Sequence, residues 1–175
     1  MITNVLLIST EYIKTRTPIF ENVSDKLLRE AIMEAQNINV KRILGSSLYT
    51  EIVSQVVNNT LTPENKTLLD EYVAPALKFY TMYEALIYLR SPVTPTGSKE
   101  LTQGSSFEFG QIEFKAYQST WTKKAEFYAQ ECINFLKANA SSTLYAAYLN
   151  YSGKYDSVSP AKTMYKSALY LGGGS

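Results

Sequence analysis

The sequence predicts a mainly α-helical protein: a helical bundle with a long central helix, a short β-hairpin or extended arm, and a C-terminal arm ending in a short helix. Three observations carry that prediction. Apolar residues recur at the helical period from Leu69 through Tyr72, Val73, Ala76, Leu77, Tyr80 and Tyr83 to Ile87. Hydroxyl–proline pairs, Thr62-Pro63 and Ser159-Pro160, mark two helix starts, because proline at the first helical position loses no hydrogen bond. Glycines end the helical runs at Gly45 and at 172–174.

Taken in order, residues 1–22 read as irregular, with a short strand at 5–8 and a turn at Thr17-Pro18. The first helix starts at Ser24, whose hydroxyl suits an N-cap. Its apolar face is Leu28, Ala31, Ile32 and Ala35, and Gly45 closes it. A second helix over 47–58 follows at an angle, with Leu48, Ile52 and Val56 on one side. The third helix runs from Thr62 to Arg90 and spans roughly 40 Å. Pro75 lies inside it and cannot bond to the Glu71 carbonyl, so a kink is expected there.

Pro92, Pro95, Gly97 and Gly104 make 91–106 a loop. Apolar and polar residues then alternate around Gly110-Gln111, which suits a two-residue hairpin turn. One face would carry Phe107, Phe109, Ile112 and Phe114, the candidate subunit-contact residues. Glu108 would face Glu113, which disfavours the pairing. An arm that pairs with another chain is the alternative. The fourth helix is expected over 120–138, with Trp121, Ala125, Tyr128, Ala129, Cys132, Phe135 and Leu136 on its apolar face. A short helix capped by Ser142 follows at 143–151.

After a polar linker, 159–171 reads as a detached amphipathic helix of about three turns, too short to be stable alone in water. It must dock on its own bundle or in a partner's groove. The candidate docking residues are Tyr155, Met164, Tyr165, Ala168, Leu169 and Leu171. The domain division is therefore a helical domain over 1–151, including the loop and β arm at 91–118, and a docking arm over 152–175. Lys154, Lys162 and Lys166 against Asp156 give this arm a local positive excess.

Composition narrows the function. The 17 Lys and Arg residues nearly cancel the 16 Asp and Glu residues, so no global field holds nucleic acid. Histidine is absent, which removes Ser-His-Asp and Cys-His nucleophile pairs and Cys/His zinc sites. No phosphate-binding loop is present, and no enzyme activity or cofactor is expected. Cys132 stands alone and reads as a small core residue, which suits a reducing compartment or one where stability comes from elsewhere. No run approaches the roughly 20 apolar residues of a membrane span, and 5–8 is too short for a signal core. The 14 tyrosines have two readings. They replace Phe and Leu at core edges, or they cover surface that is buried on association.

The order of motifs also resembles a known family. A 2–8 strand precedes Tyr12-Ile13-Lys14 and Asn22-Val23-Ser24. Then come Ile32, Ala35-Gln36, Ile43-Leu44-Gly45 and Leu48-Tyr49, a long helix with Leu69, Tyr72 and Pro75, the Gly97 loop, and Lys124-Ala125 before Tyr128. Over residues 1–150 this resembles the head–tail connector (adaptor or head-completion) proteins of tailed bacteriophages. It is most similar to the portal-proximal ring proteins of crAss-like Bacteroides phages. The resemblance implies a virion protein, assembled in the host bacterial cytoplasm, that forms a ring of about twelve copies. Such a ring sits between portal and tail, extends the DNA channel without reading sequence, and docks the next tail protein. In relatives the C-terminal segment reaches the portal, here the 159–171 helix. The alternative is a monomeric or dimeric helical adaptor that binds a protein partner.

Overall fold

The computed structural model describes residues 5–19, 21–90, 93–94, 97–98, 111–150 and 158–164. Its helices are α1 (Thr10–Arg16), α2 (Asp25–Ala35), α3 (Lys41–Val57), α4 (Pro63–Thr67), α5 (Ala74–Arg90), α6 (Gln111–Asn139) and α7 (Ala146–Leu149). The bundle is mainly helical, as expected. α5 is the spine and packs on α2 and α6, while α3 packs on α6 and α7. Leu28, Ile32, Leu77, Ile133 and Leu136 are fully buried at these contacts.

Two π-helical turns interrupt the α geometry. Residues Gln36–Val40 join α2 to α3, and Leu68–Val73 join α4 to α5. The second turn ends just before Pro75. The Ala74 N–H bonds to the Leu69 carbonyl, five residues back. The wide turn thus sits where the proline would disturb an α ladder, and it is the form that the expected irregularity at Pro75 takes. Thr62 caps this long helix as predicted, accepting a 3.2 Å hydrogen bond from the Asn65 N–H. Buried Asn65 then donates to Glu51 (3.0 Å) and Gln55 (2.9 Å), tying the start of α4 to the end of α3.

Gly45 breaks the helix where expected. It has φ 76° and ψ 159°, a region that side-chain-bearing residues avoid, and the chain resumes as helix at once.

Several expectations need correction. The strand at 5–8 does not form. Instead the buried Gln36 side chain acts as a strand-like partner, accepting from the Leu7 N–H (3.0 Å) and donating to the Val5 carbonyl (2.7 Å). Residues 10–16 are helical, not irregular: Ser9 caps them and Ile13 is buried. The hairpin around Gly110-Gln111 is not supported, because 111–114 belong to α6. Phe114, Gln118, Trp121 and Ala125 continue the helical period backwards, and Glu, Lys and Gln favour helix where a short alternation is ambiguous. A two-residue antiparallel ladder, Val93–Thr94 with Gly97–Ser98, lies in the expected loop instead. Ser141, not Ser142, accepts from the Leu144 N–H (3.0 Å), and the last short helix shrinks to α7.

Candidate subunit-contact surface

The beginning of the C-terminal arm is seated on its own chain. Residues 158–164 are irregular, so the helix expected over 159–171 does not start at Ser159. The physical reason is a set of backbone bonds that a helix could not make. Ser46 N–H donates to the Val158 carbonyl (2.8 Å), and Ala161 N–H donates to the Arg42 carbonyl (2.9 Å). Val158 N–H donates to the Ser46 hydroxyl (2.6 Å). Pro160 lies against Gly45, where a Cβ would stand 2.6 Å from its Cγ. On the α6 side, Gln130 Oε1 accepts from Met164 N–H (3.0 Å) and from the Thr163 hydroxyl (2.9 Å).

Met164, one of the expected docking residues, is buried in this core and is not offered to a partner. The others, Tyr155, Tyr165, Ala168, Leu169 and Leu171, lie outside the described residues. Removal of 158–175 should cost about 2 kcal/mol, through the lost burial of Met164 and the half-buried Pro160. Chemical denaturation of the truncated chain beside the full chain checks it.

Of the candidate arm residues, Phe107 and Phe109 also lie outside the described residues. Ile112 falls in α6. Phe114 is half-buried on the same helix rather than on a strand.

Signals for contact lie elsewhere, on α5 and α6. Phe79 stacks on Trp121 (5.8 Å between centroids) and on Tyr128 (5.4 Å). Tyr72 and Phe135 stack farther along the groove, at 4.0 Å. Two ammonium groups crown the first stack. Lys78 Nζ lies 4.5 Å from the Phe79 centroid, and Lys124 Nζ lies 5.7 Å from that ring and 4.9 Å from Trp121. Burial, then the nearby Arg16 and Lys124, pulls the Lys78 pKa below the usual lysine range. Beside them Phe127 is 51% exposed and meets Tyr128 edge-on. Sequence reading placed Trp121 and Tyr128 on the helix's apolar face but missed the lysines. Lys78 and Lys124 belong to different helices, and only their packing brings them over one ring.

A patch of opposite sign occupies α2 and the later part of α5. Glu30 and Glu34 are exposed one turn apart on α2. Glu34 accepts a hydrogen bond from the Tyr88 hydroxyl. Burial, then Glu34, raises the Glu84 carboxyl above the usual range. Ile38, 60% exposed in the π turn four residues after Glu34, and Ile87, 38% exposed three residues after Glu84 on α5, are the exposed apolar side chains nearest these acids in the chain.

The tyrosines are mostly accounted for by packing. Tyr49, Tyr80, Tyr145 and Tyr148 are buried, and Tyr12, Tyr72, Tyr83, Tyr88 and Tyr128 pack against the core edge. Among the described residues this favours replacement of Phe and Leu over a tyrosine-rich outer surface.

Chemistry-bearing groups have structural duties. Burial pushes the Cys132 thiol up to about 12. A thiol reagent at neutral pH should leave the native protein unmodified and react at once after denaturation. Rapid native labelling would show that α6 opens. A cleft of about 430 Å³ lies between α1 and the π turn before α5. In its lining Ser9 serves as the α1 cap, and Asp70 pairs with Lys66. Among the described residues no group of three or more His, Cys, Asp or Glu side chains is placed to hold a metal, and no helix is long and apolar enough to cross a membrane.

A family model described as a family of unknown function (DUF6712) matches residues 40–157, and the chain belongs to that family. No curated protein and no solved structure gives a significant match.

Proposed function

We propose that this DUF6712 member is a structural virion protein, a ring subunit between the portal and the tail of a tailed bacteriophage. The observation that supports it most is the α5–α6 face. There Phe127 is exposed, and half-buried Phe79 and Tyr128 with buried Trp121 lie under two lysines that make no ion pair among the described residues. Apolar rings rimmed by charge suit a surface that a neighbouring protein covers. The order of motifs along residues 1–150 supplies the identity of the assembly, and the near-neutral balance of 17 cations to 16 anions suits a channel through which DNA must move.

In this reading the work is mechanical, not catalytic. The ring extends the DNA channel without sequence readout and presents a docking surface to the next tail or ring protein. Residues beyond Met164 are the segment proposed to reach the portal, with Tyr165, Ala168, Leu169 and Leu171 as its contacts. Gly45 and Arg42 anchor the chain just before them.

Imaging of the purified chain alone and mixed with the virion's portal protein tests the reading. Annular particles that stack on the portal are the expected result. Compact single molecules that ignore the portal would favour the adaptor alternative.

A further inference from the structure

We infer that neighbouring copies of this chain meet through two oppositely charged patches, the Lys78–Phe79–Lys124 face of one copy against the Glu30–Glu34–Glu84 face of the next. The inference rests on the ring reading and gives it a contact.

The first patch gathers positive charge. Both ammonium groups lie within 5.7 Å of one phenyl centroid, and the charge on Lys124 acts on Lys78. Among the described residues neither has a carboxylate within ion-pair distance. Arg16, held over the Tyr12 ring at 5.7 Å, adds to the same field. The second patch is its counterpart: Glu34 accepts from the Tyr88 hydroxyl, and the charges of Glu84 and Glu30 also act on that hydroxyl. Inside each patch like charges repel. An opposing patch relieves both at once, and such complementarity also fixes which surfaces meet.

The apolar parts match as well. Phe127 stands beside the lysines, and Ile38 and Ile87 closely follow the acids in the sequence, all exposed in the single chain. These residues provide the area that ion pairs alone do not.

Geometry makes the contact head-to-tail. Lys78 and Glu84 share α5, but six residues separate them, which is about 120° around the helix. One patch therefore points away from the other and cannot satisfy it within the molecule. Two different surfaces in contact give a heterologous interface, which closes into a ring when the rotation per subunit allows.

Charge reversal tests this directly. One variant carries Lys78→Glu and Lys124→Glu, so both of its patches are acidic. The other carries Glu30→Lys and Glu34→Lys, which makes its acidic patch net basic. Sedimentation of each, beside the wild type, should show self-association weakened about a hundredfold. An equimolar mixture should reassemble, because acidic and basic copies alternate. Lys124→Glu and Glu30→Lys singly, both at exposed positions, guard against loss of the fold, which circular dichroism follows.

Wild-type assembly that survives both reversals overturns the inference and leaves the ring reading standing. A wild type that never associates overturns the ring reading and the inference with it. If the lysine variant assembles normally but loses retention on immobilised DNA, the patch faces nucleic acid and the inference falls.

Discussion

Substitution of Gly45 by alanine is expected to destabilise the protein by about 3 kcal/mol. Two effects combine. At φ 76° and ψ 159° the backbone occupies a region open to glycine and costly for any residue with a Cβ. The added methyl would also stand 2.6 Å from Pro160 Cγ and 2.7 Å from its Cδ. The helix corner and the 158–164 segment cannot both stay in place. That segment should lift, taking Met164 from the core and breaking the Ser46 and Arg42 backbone bonds. A protein of this size should lose roughly 10 °C of melting temperature. Pro160→Ala in the same chain removes the atoms that clash and leaves the φ strain. The double variant should regain only part of the loss. Full recovery would assign the whole cost to the contact, and no recovery would assign it to the backbone.

Gln36→Ala is the second large effect, at about 2–3 kcal/mol. Gln36 is buried and its amide makes one hydrogen bond to Leu7 N–H and one to the Val5 carbonyl. Truncation leaves the buried Leu7 N–H and the part-buried Val5 carbonyl without their partner, and the buried orphan keeps its desolvation cost. The damage should start locally. A protease should cut the first residues at denaturant concentrations where the helices still hold. Equal protection of the N-terminal segment in variant and wild type would mean that Leu7 and Ile8 hold it by burial alone.

The local rules that worked are those written in adjacent residues. Thr62-Pro63 starts a helix, Gly45 breaks one, and the apolar face Ala76, Leu77, Tyr80 and Tyr83 builds the spine, while Leu69 falls in the π turn and Ile87 is exposed. What failed depends on distant partners or on weak short-range signals. Ser159-Pro160 has the form of a helix start, but Arg42, Ser46 and Gln130 claim the backbone groups that a helix would use. The apolar run at 5–8 has strand composition, and a glutamine side chain takes the role of the neighbouring strand. For 111–114 a four-residue alternation competed with a long helix and lost. The proposed contact surface was the least legible part. Lys78 and Lys124, or Glu34 and Glu84, mean little apart, and only helix packing gathers them into patches of one sign.

The ring proposed for this protein needs many identical subunits, and native mass measurement across a concentration series decides whether they assemble. A closed species is expected at a fixed multiple of the 19.7 kDa chain, falling apart as salt is raised. A lone 19.7 kDa molecule at every concentration and ionic strength would contradict it.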